Sequence, residues 1–437
     1  MNPFFEERGE GRMPAALHAR TIDFSAGRAG PAYVLFDAVD AEWFDGQLAE
    51  RGGSISQEVW GELIEYAPIY AVEICADQQD NGAAALWLKG QGERPDDWVH
   101  LTIRVDPDGP ADLYDTIDGP PQRVSLALAP MRPGTQQALS RATALTASSD
   151  TDVKGALPVA VLDRIVVLDV GQGSANAVYN DAGEVIAYVD LGAGILKNSK
   201  TWPAGLMTDF CRCHQPVVIL THWHYDHFNG ANKIKAARAL TWIAPLQTIG
   251  PGPQSAMANA VRRAGQLLVW GGGASPLNAG GLTLESCTGP AGDFDRTGIA
   301  VWATGGSTAD PILMPGDAHY PDIPGISSGR GVSALVVSHH GGDIGGSTPP
   351  APGKHLAFSY GDSNTYGHPA ASPVGDLKAV GWSIGLHPAG PRRHERVTCD
   401  LRASTGLGSI LLNWPTSSTP PRSCGASACA ATVDHCQ

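Results

Sequence analysis

The chain has 437 residues, 43% of them hydrophobic and 17% charged, the balance of a folded protein with room for two or three domains. Its net charge of −14 is uneven: residues 1–150 hold 24 acidic and 11 basic side chains, and the rest of the chain holds 20 and 19. A strongly acidic first third is a poor nucleic-acid surface. Glu6, Glu7 and Glu10 occupy the place a secretory signal would need for its basic end and apolar core, and no run approaches the ~18 apolar residues of a membrane span, so the expected compartment is the cytoplasm with no membrane contact. Eight Cys are too few for a disulfide-built fold of this length.

In chain order, residues 1–30 read as irregular. Asp40 to Arg51 and Ser56 to Tyr66 have helical spacing, and Ile69 to Cys75, Ala84 to Leu88 and Val99 to Val105 read as short strands before the turn Asp106-Pro107-Asp108-Gly109-Pro110. The two histidines of this region, His18 and His100, are isolated in sequence and read as structural or solvated. A small acidic α+β domain is expected over 1–155. Substrate cap, interface for a protein partner and plain support all fit it. A helix from Thr135 to Ala144 precedes a linker-like run, Thr146 to Asp152, which sets the expected boundary near 155.

Arg164 to Val178 reads as strand, Gly171-Gln172-Gly173 turn and strand, and Val185 to Val189 as a further strand. No third glycine and no helix start follow the Gly-x-Gly, so a dinucleotide loop is excluded. The apolar β-branched run Val217-Val218-Ile219-Leu220 is a buried strand, and it delivers Thr221-His222-Trp223-His224-Tyr225-Asp226-His227. Four metal-liganding side chains fall within six residues there. A strand end can aim His222 and His224 at one ion, while Asp226 and His227 can serve a second beside it. Two later strands also end in ligand types: Ile312-Leu313-Met314 runs into Pro315-Gly316-Asp317, and Leu335-Val336-Val337 into Ser338-His339-His340.

In this order, Leu168-Asp169-Val170-Gly171-Gln172-Gly173, the H-x-H-x-D-H stretch, Pro315-Gly316-Asp317, Ser338-His339-His340-Gly341 and Asn364-Thr365-Tyr366-Gly367-His368-Pro369 resemble the metallo-β-lactamase fold, and within it the soluble hydrolase domain of ComEC/Rec2-type competence proteins. The resemblance implies an αββα sandwich over 156–415, two divalent ions (zinc or manganese), Asp317 as their bridge and His368 as the last ligand. Asp169 would support the metal loop. Residues 228–316 contain no His, so the third ligand of the first ion falls to His339 or His340. One of that pair is expected at the metals and the other in proton transfer. His339, nearer the strand, is the favoured ligand and His340 the favoured catalytic partner of Asp226.

The expected function is a binuclear metal-dependent hydrolase acting through an activated water on phosphodiester bonds, a nuclease among the readings. A hydrolase of a small ester, lactone, amide or phosphorylated metabolite is the alternative, and a non-catalytic scaffold is the third. Lys197, Lys200, Lys233, Lys235 and Arg238 suggest a local basic rim, and Arg392 to Arg396 is the densest basic cluster. Apart from these motifs, Cys211-Arg212-Cys213-His214 could bind a metal, but its spacing is tight and no matching second half is obvious, while Cys424, Cys429, His435 and Cys436 in the 416–437 tail suggest a zinc knuckle, a redox cluster or free thiols.

Overall fold

A computed structural model describes residues 1–6, 13–26, 31–76, 98–207, 209–305, 310–351, 355–384, 395–398, 408–414, 424, 426–427, 429–431 and 435–436. The chain divides into two compact units. One comprises Met1–Thr146 with Ile195–Lys197 and Gln247–Arg263, the other Ala147–Gly194, Asn198–Leu246 and Ala264–Gln437.

The first unit is built on a closed barrel of β1 (Ala16–Ala26), β2 (Ala32–Asp40), β3 (Ile69–Ala76), β4 (Trp98–Val105), β5 (Ala111–Tyr114) and β6 (Gln122–Pro130), in the order β1-β2-β3-β5-β6-β4. Alternate residues point inward, as the two-residue strand period requires: Leu17 and Ala19, Val34 and Phe36, Val72 and Ile74, Leu101 and Ile103 fill the interior. The outer face is polar yet buried. The Asp37 carboxylate accepts the backbone N–H groups of Gly252 and of Gln254 (2.8 Å), and the Trp60 indole donates to Ser255 Oγ at 2.7 Å. Glu73 and Asp112 share the Lys197 ammonium at 3.4 and 2.5 Å. Paired in this way, buried carboxylates escape most of the cost of desolvation.

Residues 16–26 were expected to be irregular and instead form the longest strand of the barrel. Leu17-His18-Ala19-Arg20 and Ile22-Asp23-Phe24-Ser25 do alternate apolar and polar residues, but the alternation changes phase at Thr21, where a bulge shifts the register against β2, and the polar His18, Arg20 and Thr21 are buried. His18 and His100, distant in sequence, are register partners on β1 and β4, with Nδ1 atoms 3.3 Å apart and His18 Nε2 3.0 Å from Asp45. The linker-like run is also overturned in part: Ser149 Oγ accepts the Asp152 N–H and caps a helix over Asp150–Ala156. The strand expected at 84–88 lies outside the described residues.

The second unit is two packed sheets. The first runs β12-β11-β10-β9-β8-β7-β20-β21, where β7 is Leu162–Val167, β8 Ala175–Asn180, β9 Val185–Leu191, β10 Val217–Ile219, β11 Thr241–Pro245, β12 Gln266–Trp270, β20 Ser409–Asn413 and β21 His435–Cys436. The second runs in chain order from β13 (Leu277–Ala279) through β14 (Leu282–Ser286), β15 (Ile299–Ala303), β16 (Ile312–Met314), β17 (Ala334–Val336) and β18 (Leu356–Phe358) to β19 (Glu395–Val397). Each sheet starts as an antiparallel meander and ends in parallel strands, β9 to β12 and β16 to β19. Val217 and Ile219 of one sheet and Ile299, Val301 and Met314 of the other meet in the shared core. Trp302, Leu313, Leu335 and Phe358 point the other way and pack with Val374 and Leu377 of the helix Ala371–Ala379. This is a mixed α/β sandwich, with helix against the outer face of its second sheet. Parallel strands deliver side chains from their carboxyl ends, and there β10, β16, β17 and β18 carry the loops with His222, Asp317, His340 and His368. Among the described residues, no helix is long and apolar enough to cross a membrane.

Candidate metal centre

β10 ends at Ile219, and the chain turns at once so that His222 and His224 point back to one place (ring centroids 4.6 Å apart). The short helix Tyr225–Phe228 then swings Asp226 and His227 round beside them, His227 lying 4.0 Å from His222 ring to ring. Asp317 arrives from the end of β16. Its Oδ2 is 3.7 Å from His222 Nε2, and its Oδ1 is 3.2 Å from His227 Nε2 and 3.8 Å from His340 Nε2. Two groups with metal-ligand geometry result, His222, His224, Asp295 and Asp317 in one and Asp226, His227 and His340 in the other.

Each imidazole is oriented from behind. His227 Nδ1 lies 2.8 Å from Asp190, His340 Nδ1 donates to the Ser359 carbonyl at 2.7 Å, and His222 Nδ1 meets Thr221 Oγ1 at 3.0 Å. With Nδ1 engaged, Nε2 carries the lone pair. The Nε2 atoms of His222, His227 and His340 are buried without a well-formed hydrogen bond. Buried polar atoms are rarely left so, and three converging imidazole lone pairs among three carboxylates fit a pair of divalent cations.

The electrostatics agree. Burial, then the neighbouring His227 and His224, hold the His222 imidazole well below its ordinary value, in the neutral form a metal needs. Burial opposes ionisation of Asp317 and of Asp295. The imidazoles of His227, His340 and His339 outweigh it at Asp317, and those of His224, His339 and His222 at Asp295, so both stay carboxylates. His227 differs: burial works against its charged form, but Asp317, Asp190 and Asp226 reverse it and raise its pKa, so an ion at its Nε2 would have to displace a proton.

Close backbone packing pins the site. A Cβ on Gly192 would stand 1.9 Å from the Asp226 carbonyl oxygen, and one on Gly173 2.7 Å from it. Only glycine lets the two strand-end loops close on the metal loop. The Gly171-Gln172-Gly173 turn also reaches the far side of the site, since Gln172 Nε2 is 3.3 Å from His368 Nδ1 and Ser359 Oγ donates to the Gly173 carbonyl. Asp169 sits beneath this turn and accepts the Gly171 N–H at 3.4 Å. Asn364 holds its own loop, donating to the carbonyls of Gly361 and His368 and accepting the His368 N–H.

A family model matches the stretch that holds the H-x-H-x-D-H loop, Asp295 and Asp317. Residues 216–322 match the metallo-β-lactamase superfamily. Among solved structures, "The 1.98-angstrom crystal structure of Zn(2+)-bound PqqB from Methylobacterium extorquens" aligns at 11% identity and a TM-score of 0.28, over 40% of this chain and 72% of that one. A search of the curated proteins finds no match.

The structure redistributes three expected positions. The third place in the first group goes to Asp295, 3.0 Å from His224 Nδ1 and 3.4 Å from His222 Nε2, and not to one of the two histidines that follow β17. His340, not His339, enters the second group, 3.2 Å from Asp226. The cause is a pair of left-handed residues, His339 (φ 51°) and His340 (φ 54°), which reverse the chain just past β17. Such backbone costs about 1–3 kcal/mol per residue and clusters at functional sites. His339 is left partly exposed at the mouth, 4.0 Å from both Asp295 and Asp317. His368 stands beside the two groups rather than inside them, stacked 6.0 Å from His340. Asp190, at φ 62° near the end of β9, was given no role in the sequence reading. A single carboxylate at a strand end carries no spacing signal of its own, and neither did Asp295.

Proposed function

We propose that this protein is a binuclear metal-dependent hydrolase of phosphodiesters. Asp317 carries the reading: its two oxygens face different groups, so one carboxylate spans two ligand sets in the way a shared bridge requires. His222, His224, Asp295 and one Asp317 oxygen would hold the first ion. Asp226, His227, His340 and the other oxygen would hold the second. Zinc or manganese there supplies a water of lowered pKa and neutralises charge on attacked and leaving oxygens, the pattern of two-metal phosphoryl chemistry. His339, partly exposed beside Asp295 and Asp317, is placed to hand a proton to the leaving group. His368, held by Gln172 and the Asn364 loop, orients substrate at the second group. The order of motifs along the chain, similar to that of ComEC/Rec2-type hydrolase domains, supports phosphorus over carbon as the centre attacked.

A polynucleotide track needs a line of cations for its phosphates. Of the basic rim, Lys197 is committed to Glu73 and Asp112 and Arg238 is buried, donating to the Ala231 carbonyl and to Asn232 Oδ1, while Lys200 and Lys235 are exposed. Two exposed lysines are a short line, which favours a small diester. The side chains of the 392–396 cluster lie outside the described residues.

The test compares bis-p-nitrophenyl phosphate, an alkyl phosphodiester, single-stranded DNA and double-stranded DNA as substrates, with metal content measured alongside. Asp317→Asn is expected to lose the ions of the His/Asp centre and all turnover while keeping its fold. His339→Gln is expected to slow the alkyl diester by about 10²–10⁴ and to spare the p-nitrophenyl ester, whose leaving group needs no proton. Metal binding without cleavage of any diester would move the substrate to a carboxylic ester, lactone or amide. A wild-type chain that binds no metal would leave a scaffold.

A further inference from the structure

Away from the His/Asp centre, two cysteine pairs that lie more than 200 residues apart in sequence come together. Cys211 and Cys213 lie in the loop before β10, and Cys424 and Cys429 in the segment after β20, all within the second unit. The four sulfurs lie within 4.8 Å of one another. The Cys211 and Cys429 sulfurs are 3.7 Å apart. A disulfide would bring them to about 2.05 Å, and all four are free thiols. Four thiolates around zinc at about 2.3 Å, set tetrahedrally, stand about 3.8 Å from one another. The Cys211–Cys429 separation matches that edge, and the other sulfurs lie within about an ångström of it, close enough to gather round one ion.

The surroundings point the same way. Cys211 is buried, Cys424 and Cys429 are partly buried, and Cys213 is exposed, so no apolar pocket gathers these groups. The Cys213 backbone N–H donates to the Cys211 sulfur, the support a thiolate ligand commonly receives from its own loop. An all-sulfur donor set selects soft or borderline ions over magnesium, calcium or manganese. The tight spacing suits a single ion rather than a sulfide-bridged cluster, whose cysteines sit on separate irons and further apart. With four protein ligands, no position remains for substrate.

We propose that Cys211, Cys213, Cys424 and Cys429 form a structural tetrathiolate zinc site that fastens the C-terminal segment to the loop feeding the H-x-H-x-D-H strand. Each cysteine gives its proton to solvent as the zinc–sulfur bond forms. The clamp closes a loop of more than 200 residues, so it removes a large share of the chain's freedom in the unfolded state.

Cobalt(II) distinguishes this site from the His/Asp centre, because only thiolates give an intense near-ultraviolet charge-transfer band. The full-length chain, stripped and reloaded with cobalt alone, is expected to show that band. Asp317→Asn should keep it, and the double variant Cys213→Ser/Cys429→Ser should lose it together with one zinc per chain. Cys213→Ser alone replaces an exposed side chain, and it is expected to fold and to show a weakened, shifted band. In the zinc-loaded wild type the four thiols should resist alkylation until a chelator is added. A wild-type chain with no thiolate band, four thiols that alkylate at once, or a Cys211–Cys429 disulfide found by mass mapping would each overturn the proposal.

Discussion

Asp190 works without touching substrate or, on the geometry, a metal. Its carboxylate accepts the Thr221 backbone N–H at 2.7 Å and the Thr221 hydroxyl at 3.0 Å, and it fixes His227 through Nδ1. Asp190→Asn keeps the shape and tolerates the left-handed backbone, but it removes the charge and turns one of the two acceptor oxygens into a donor. Metal affinity is expected to fall about 10–100-fold with the fold intact, the usual cost of losing a carboxylate behind a histidine ligand. A chelator-competition titration that finds wild-type affinity would remove Asp190 from the site. The contrast with His222 explains what the sequence could reveal. Contiguous histidines after a β-branched run announce themselves, because His is scarce and the strand gives them direction. Asp190 and Asp295 are two of 44 acidic residues, one at the end of β9 and the other in the short helical turn Asp295–Thr297. The exchange of His339 and His340 was hidden for another reason: two successive left-handed histidines leave no mark in composition or period.

At the scale of elements, the strands of the sandwich were legible where both faces are buried and the run is β-branched, as in β10 and β17. The barrel was harder to read, because its outward residues His18, Arg20, Asp37 and Glu73 are polar and buried. Segment 247–263, distant in the chain, meets Asp37 on that face, and no local pattern can anticipate it. The same burial gives the β1–β4 pair a pH response. His100 is surrounded by His18, Asp45 and Arg132. Burial first, and then His18, hold its imidazole below the ordinary 6.5. The folded state thus binds this proton more weakly than the unfolded state. The stabilisation is complete above the unfolded pKa and drains away as pH falls through that value towards the lower, folded one. Denaturant melts from about pH 7 to about pH 5 should therefore show wild type losing stability relative to His100→Gln. Glu73, pushed up by burial, acts in the opposite sense in both proteins and cancels in the comparison. Parallel curves for the two would rule out His100 as the titrating group.

For the whole molecule, every group with metal-ligand geometry among the described residues falls in the second unit. The barrel has a core of its own, from Leu17 to Val124, and its polar shell is satisfied within the same unit by Lys197 and by residues 247–263. Ions that bind only the folded state stabilise it by RT ln(1 + [L]/Kd), about 2.7 kcal/mol per site at a hundredfold excess over Kd. Chelation withdraws that term from the sandwich alone. Hydrogen exchange followed by mass spectrometry should then show protection falling in β10, β16, β17 and the segment around Cys429 when metal is removed, while β1 to β6 exchange as before. The Asp317→Asn variant divides the effect. It should lose protection at the β10 and β16 ends yet keep it around Cys429, because a thiolate zinc would still be in place. Equal loss of protection in barrel and sandwich would mean that the two units open as one cooperative body, and metal would then stabilise the barrel as well.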